Sequence, residues 1–255
     1  MTCKIICGDC LRIMPDLKAG SIDAVITSPP YAQQRAKFYE GVSETDYPQW
    51  TVSWMAEARR LLGAHGSALI NIREHVHDGQ ISSYVHLTRL ALRYDKWIEC
   101  DELIWYKPSS PPVGHPKRPR RAWERILWFA VERQPWCDPQ ANGRPSKQIG
   151  MTGGHPAWVN GVDAGHSGIA RCTDVVEVST SSNDRRYKHP APYPVELAAW
   201  MIRLVCPHGG TVLDPFMGSG ATGVACAQTG RNFIGIESVP DYCSMASQRI
   251  EEEGT

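Results

Sequence analysis

"LDPFMGSGATG", residues 213–223, holds the spacing Gly218-x-Gly220-x-x-Gly223 directly after an apolar run and directly before a helical one. Glycines so spaced permit a tight turn, close backbone approach to a bound group and close packing of the following helix. The next apolar run, "NFIGIE" (232–237), ends on Glu237, where a strand end would offer a carboxylate to ribose hydroxyls. Strand, glycine loop, helix, strand and acid in that order predict an α/β unit that holds a nucleotide-like ligand. A plain structural turn is the weaker reading.

Two cofactors compete for this loop. NAD would place a pyrophosphate at the helix N-terminus and would need most of its sheet after the loop, but little chain follows. The loop also opens with Asp214-Pro215-Phe216, which a dinucleotide does not require. A carboxylate suits an ammonium, and an aromatic ring suits a neighbouring cation. S-adenosylmethionine brings an amino group, a sulfonium and a ribose diol without a pyrophosphate, and fits these residues better.

If the glycine loop lies near the end of the chain, the remaining strands come from earlier in it. Residues 23–27, 66–72, 97–107 and 125–132 read as strands rich in β-branched and aromatic residues. Residues 45–62 predict a helix, with Trp50, Trp54, Met55, Ala58, Leu61 and Leu62 near a 3.6-residue stripe. Residues 80–94 predict another, with Tyr84, Leu87, Leu90 and Ala91 on one face. Helices at 193–206, 221–229 and 241–252 alternate with strands at 211–216 and 232–237. The sum is an α/β fold, a Rossmann-like, doubly wound and mostly parallel sheet. Between residues 132 and 188 periodicity fades, save for "DVVEVS" (174–179), which predicts a compact irregular insertion. The expected division is 1–132, 133–188 and 189–255, with the two outer parts as halves of one domain.

Net charge is zero over 255 residues, yet from Lys107 to Lys188 thirteen Lys and Arg stand against seven Asp and Glu. A neutral total hides a basic middle. Nine cysteines are scattered, and no spacing completes a zinc set, so no metal is expected and free, mostly buried thiols are the reading. No apolar run is long enough to span a bilayer and the start has no leader-like segment, which predicts a cytoplasmic protein with no membrane contact.

A second stretch raises a separate question. In "DAVITSPPYAQQR" (23–35) a buried strand runs into Ser28-Pro29-Pro30-Tyr31. Two prolines remove two backbone donors and lock two φ angles, and Pro29 holds Ser28 extended. The turn therefore fixes one hydroxyl, two free carbonyls and one aromatic ring at a strand end.

Together, "TSPPY" and "DPFMGSGATG" resemble the catalytic and cofactor motifs of the DNA amino-methyltransferases, in the order of that family's β class. "IICGDCLRIMPDLKAGSIDAVITSPPY" (5–31) resembles the family's opening block, and residues 189–237 resemble its closing one. The uncovered part coincides with the basic insertion, where the family keeps its target-recognition region. The resemblance implies an S-adenosylmethionine-dependent enzyme acting on double-stranded DNA, with the target nucleotide flipped into a pocket. By the same resemblance Ser28 and Pro29 would accept from the target amine, with Pro30 stiffening the turn and Tyr31 stacking on the base. Glu237 would take the ribose hydroxyls. Phe216, Gly218 and Gly220 would wrap the methionine portion with Asp214 nearby, Pro215 and Ser219 would complete the cofactor-binding stretch, and Asp9 would lie near the adenine amine. His189 matches a family position near the methionine end, but the following "APYP" departs from the usual Thr-x-Lys-Pro, and its role stays open.

For DNA contacts the candidates are Gln33, Gln34 and Arg35 after the catalytic turn, Lys117, Arg118, Arg120 and Arg121 in a Pro-rich basic loop, and Arg144 and Lys147. Ser at the head of S-P-P-Y favours cytosine-N4 as the target, with adenine-N6 the alternative. An NAD-dependent oxidoreductase and a catalytically silent DNA-binding protein are the remaining rivals. A protein-glutamine methyltransferase would carry Asn first and its cofactor motif upstream. Oligomeric state, a homodimer included, and a partner restriction endonuclease are left open by the sequence.

Overall fold

The computed structural model describes residues 1–33, 41–109, 117–145, 158–159, 162–163, 169–180 and 193–254. Eight strands form the central sheet: β1 (Cys3–Cys7), β2 (Ile22–Thr27), β3 (Leu62–Ile72), β4 (Ile98–Tyr106), β5 (Trp123–Ala130), β6 (Val175–Glu177), β7 (Thr211–Asp214) and β8 (Asn232–Glu237). Their spatial order is β1-β8-β7-β2-β3-β5-β4-β6. Only β5 runs against its neighbours; every other pairing is parallel.

Helices cover both faces, as parallel strands require. They are α1 (Cys10–Ile13), α2 (Tyr47–Leu61), α3 (Tyr84–Tyr94), α4 (Val195–Val205), α5 (Ala221–Thr229) and α6 (Pro240–Glu253). On one face Ala24, Ile26, Leu69 and Ile126 pack against Met201 and Ile202 of α4, Val224 of α5 and Ile250 of α6. On the other, Val25, Ala68, Ile70 and Leu127 meet Trp54, Met55, Ala58 and Leu61 of α2 and Tyr84, Val85 and Leu92 of α3. Two adjacent residues of β2, Val25 and Ile26, thus serve opposite cores, which is the pleat at work.

The glycine loop shows why its spacing recurs after strands. Gly218 and Gly220 have φ of +51° and +82°, the left-handed region that glycine enters without strain. A Cβ on Gly223 would lie 2.2 Å from Ile250 Cδ1, so α5 and α6 touch only because that position is bare.

One local expectation is overturned. The stretch 80–94 is not helical throughout: Val76–His77 and Gln80–Ile81 pair as a small hairpin across Asp78-Gly79, and the helix starts at Tyr84. Both turn residues have positive φ (46° and 78°), as a two-residue hairpin turn demands. Nor do Leu87 and Leu90 face inward, being 49% and 48% exposed; the helix buries Tyr84, Val85, Thr88 and Leu92 instead. Thr88 can enter the core because its hydroxyl donates to the Tyr84 carbonyl at 2.7 Å.

The cysteines also depart from expectation. Cys7, at the end of β1, is bonded to Cys243 in α6 across 236 residues of sequence. The thiols of Cys3, Cys10, Cys100, Cys137, Cys172, Cys206 and Cys226 are free. Among the described residues no group of His, Cys, Asp and Glu has the makings of a metal site, and no helix is long and apolar enough to cross a membrane.

Beyond Ala130 the chain first runs along α4: the Asp138 N–H donates to Leu204 O (2.8 Å) and Asn142 Nδ2 to Trp200 O (2.8 Å). Arg144–Pro145 pairs with Ile169–Ala170 in a short ribbon, and Trp158–Val159 with Val162–Asp163 in another. The chain then rejoins the sheet as β6, in register with Ile104, Trp105 and Tyr106 of β4.

Candidate functional site

The carboxyl ends of β1, β8, β7, β2 and β3 stand side by side, and the motif residues gather there. Chain order departs from β7 to one side and from β2 to the other, so the crevice between these strands is the topological switch point of the sheet. Asp214 closes β7 and Ser28 follows β2 directly.

Asp214 joins the two motifs. Its Oδ1 accepts from Thr27 Oγ1 (2.7 Å) and from the Phe216 N–H (3.1 Å), and its Oδ2 from Thr222 Oγ1 (2.5 Å). Tyr193 bonds Thr222 in turn. Burial, the largest influence, pushes the Asp214 carboxyl up from its ordinary 3.8 to about 6, against those three hydrogen bonds. The sequence suggested an ammonium partner for this carboxylate, but it is wholly enclosed with both oxygens engaged inside the protein.

Glu237 ends β8 with Oε2 accepting from the Gly218 N–H (3.0 Å) and Oε1 from the Val239 N–H (2.9 Å) and Ser238 Oγ (3.3 Å). A carboxylate offers about four acceptor positions, so a diol would take the fourth or displace the longest bond. Asp9 is exposed, and its Oδ1 accepts from the N–H groups of Leu11 (2.8 Å) and Arg12 (3.3 Å), capping α1. Ser219 turns away from the crevice, and its hydroxyl accepts from Arg249 Nη1 in α6 at 3.2 Å. Pro215 is buried, and the half-buried Phe216 ring rests on Trp50 (5.4 Å between centroids) and Trp54 (5.3 Å) of α2.

On the other side of the switch point, Pro29 is buried while Ser28, Pro30 and Tyr31 are half-buried. The Tyr31 hydroxyl donates to Glu124 Oε2 at 2.8 Å. Asn71 Nδ2 reaches the same oxygen (2.9 Å), the Tyr31 oxygen (3.2 Å) and Ser28 Oγ (3.4 Å). Lys107 Nζ closes the group on Glu124 Oε1 and lies 3.8 Å from the centre of the Trp105 ring. Glu124 is 7% exposed. Burial pushes its carboxyl up, but Lys107 and the donors from Lys107, Asn71 and Tyr31 together hold it below the usual range.

Asn71, Glu124 and Lys107 were missed in the sequence, as were Trp50 and Trp54 as neighbours of Phe216. One signal was present: Glu124 is an acid within an apolar strand, in "AWERILWF", and a charge in such a strand needs a partner.

The basic candidates divide. Gln33 is exposed, with φ +52° and its N–H on Val42 O at 3.0 Å. Lys117, Arg118, Arg120 and Arg144 are exposed, with Arg118 Nη2 on Gly79 O at 2.7 Å. Arg121 turns inward: Nη1 bonds the Glu74 carbonyl at 2.5 Å and Nη2 lies 3.6 Å from its carboxylate. Gln34, Arg35, Lys147 and His189 lie outside the described residues.

The glycine cradle, the acid at the next strand end and the turn across the switch point fit a methyl donor with a ribose and suit it beside a flat substrate. Comparison with known proteins agrees. The family model for DNA methylases matches residues 22–248. The Type II methyltransferase M.ScaI of Streptomyces caespitosus is 27% identical over 96% of this chain and 80% of its own. M.SmaI of Serratia marcescens is 27% identical over 98% and 91%. The PvuII DNA methyltransferase, cytosine-N4-specific, superposes with a TM-score of 0.76 at 20% identity, covering 100% of this chain and 92% of the other. M1.HpyAVI in complex with SAM superposes with a TM-score of 0.66 at 22% identity, over 97% and 100%. The chain belongs to the DNA methylase family, and within it to the β-class, S-adenosylmethionine-dependent amino-methyltransferases.

Proposed function

We propose that this DNA methyltransferase transfers the methyl group to the exocyclic N4 of a flipped cytosine in double-stranded DNA. The observation that carries the choice of base is Ser28 at the head of S-P-P-Y, its hydroxyl beside Tyr31 and no carboxylate in its place. The cytosine-N4 specificity of the PvuII enzyme supports the same choice.

An amine conjugated to its ring is a poor nucleophile, because its lone pair is delocalised. Ser28 Oγ and the Pro29 carbonyl accept from its two N–H groups, which favours a pyramidal nitrogen with the lone pair directed at the methyl group. Hydroxyl and carbonyl are weak bases, so their contribution is orientation and electrostatic. Tyr31 stacks on the base, in a class of contact worth about 1–3 kcal/mol. S-adenosylmethionine, when bound, supplies an electrophilic methyl group on a sulfonium. Glu237 holds the ribose hydroxyls, and the loop at Gly218 and Gly220 lets backbone approach the methionine part. Phe216, backed by Trp50 and Trp54, offers an aromatic wall to the sulfonium. Asp214 braces the loop against β2. Asp9 borders the adenine end; Ser219 keeps the loop seated on α6. Lys117, Arg118, Arg120 and Arg144 meet phosphates, with Gln33 nearer the bases. The Type II naming of the relatives supports a pairing with a restriction endonuclease of the same specificity.

The test is incubation with S-adenosylmethionine and DNA of mixed sequence, digestion to nucleosides and mass spectrometry. N4-methylcytosine is expected. N6-methyladenine would leave family and cofactor intact and refute the assignment of the base to Ser28.

A further inference from the structure

Glu124, Lys107, Asn71 and Tyr31 come from four separate parts of the chain and meet on one buried carboxylate. Tyr31 and Glu124 are 93 residues apart, Asn71 and Glu124 are 53 apart, and Lys107 and Glu124 are 17 apart. Arg73 Nη1 adds a more distant charge, 3.8 Å from Glu124 Oε1. We propose that Glu124 is a positioning residue for methyl transfer: clamped by Lys107, it pins the Tyr31 hydroxyl and so fixes the plane of the ring on which the flipped base stacks. The inference rests on the proposed stacking role of Tyr31.

Three observations carry it. First, the arrangement is poorly explained by stability. A buried ion pair is often no better than apolar residues of similar volume, and this one sits at the end of a sheet whose neighbouring inward positions, Ile126 and Leu103, are apolar. Second, the polar groups point towards the catalytic turn. Only donors suit an ionised carboxylate, so the Asn71 NH2 faces Glu124, and from there it also reaches Tyr31 and Ser28. Glu124 thereby sets the orientation of the amide that bonds both ends of S-P-P-Y. Third, the hydroxyl at the far end of the Tyr31 ring is held on two sides, by Glu124 as acceptor and Asn71 as donor. A ring tied at that end does not swing away when no base is present, and ordering it in advance removes a cost from the step that follows flipping.

A role for Glu124 as the base that removes the amine proton fits less well. Lys107 and the three hydrogen bonds already hold it ionised below the usual carboxylate range, so it is a weak proton acceptor, and donors from the protein already engage both of its oxygens. It anchors.

The experiment is a double-mutant cycle on the full chain with S-adenosylmethionine and a DNA duplex of known target: wild type, Glu124→Gln, Tyr31→Phe and both. Single-turnover rate, affinity for S-adenosylmethionine and fluorescence of 2-aminopurine at the target position are measured. Loss of one hydrogen bond to a charged group predicts a rate about tenfold lower for Tyr31→Phe, from the typical worth of such bonds. Glu124→Gln is expected to lose at least as much. The double variant should be no slower than Glu124→Gln alone, with cofactor affinity unchanged and the flipped-base signal altered in both single variants. Effects that multiply in the double variant, or a wild-type rate in Glu124→Gln, would overturn the proposal. Where Glu124→Gln does not fold because Lys107 is left unpaired, Glu124→Gln with Lys107→Met replaces it in the cycle. If that also fails to fold, Tyr31→Phe decides by itself, a wild-type rate overturning the proposal and a tenfold loss with an altered flipping signal supporting it. Absence of any DNA methylation by the wild type would instead strike at the functional reading beneath it.

Discussion

Asp214→Asn should alter the pH dependence of stability while leaving the architecture in place. The carboxyl is wholly buried, and burial lifts it from 3.8 to about 6 despite the donors around it. Below pH 3.8 folded and unfolded chains both hold the proton, and the group contributes nothing to the difference between them. As pH rises through the interval the unfolded chain has released its proton and the folded chain has not. Above about 6 the folded protein carries an enclosed anion, so wild-type stability has fallen by about 3 kcal/mol at 1.36 kcal/mol per pH unit. Asparagine keeps the shape without the charge. Its carbonyl can take the Thr27 and Phe216 donors, and its NH2 can face Thr222 Oγ1, which then turns its proton to Tyr193. Urea unfolding of both proteins between about pH 4 and pH 7 isolates the term, because all other carboxylates cancel in the comparison. The expected result is a wild-type-minus-variant stability that drops by about 2.4 kcal/mol across that range, the remainder of the change lying below pH 4. A flat difference would show that the three donors keep the carboxylate ionised throughout, and the reasoning from burial would fail.

Tyr31→Ala should lower turnover between about fivefold and 150-fold, the equivalent of a 1–3 kcal/mol stacking contact, with calorimetric affinity for S-adenosylmethionine unchanged; unchanged turnover would remove the ring from the mechanism. Glu237→Ala should weaken S-adenosylmethionine at least about tenfold, since hydrogen bonds to a charged group are worth about 1.5–3 kcal/mol, and equal affinity in titration calorimetry would contradict the ribose assignment. Arg120→Glu should weaken DNA binding and reduce the slope of log K against log salt by about 1. Arg121→Glu should lower the melting temperature instead, because it sets a second carboxylate beside the buried Glu74. Thiol titration of the denatured, unreduced protein should count seven thiols, with Cys7 and Cys243 recovered as a linked peptide by mass spectrometry; nine would refute the bond.

What the sequence made legible was what is local. The glycine spacing, the proline pair and the acid at the end of 232–237 each act within one turn of chain, and each is found at the strand end where its spacing implied. The residues missed depend on register. Glu124 matters because β5 runs antiparallel to β4 and sets it opposite Trp105, two residues before Lys107, and nothing in "AWERILWF" alone reveals that neighbour. The inner face of α3 was missed for a related reason. The helix carries two apolar stripes, one through Leu87 and Leu90 and one through Val85 and Leu92, and periodicity cannot rank them. Arg121 looked like one of a basic run until the fold brought Glu74 beneath it. Cys7 and Cys243 lie near opposite ends of the chain, and only the pairing of β1 with β8 and the placing of α6 bring them together.

The permuted order of motifs sets a mechanical problem that Asp214 answers. The S-P-P-Y turn, catalytic in the proposed function, leaves β2, and the glycine loop proposed for the cofactor leaves β7, 187 residues later in the chain, so no short connection fixes one against the other. The ladder between the two strands is brief, with Ala24 opposite Val212 and Val25 opposite Leu213. Beyond it the strands continue to Thr27 and Asp214 without further pairing to each other, towards the point where the proposed function has methyl donor and acceptor align. A displacement of about 1 Å there is enough to cost a rate a hundredfold. The Thr27 hydroxyl on Asp214 spans that gap at 2.7 Å, and Thr222 and the Phe216 N–H tie the same carboxylate to α5 and the glycine loop. One enclosed side chain therefore fixes the register of both motifs, at the expense of an anion in the core. That is reason for an aspartate to occupy a site where burial works against its charge.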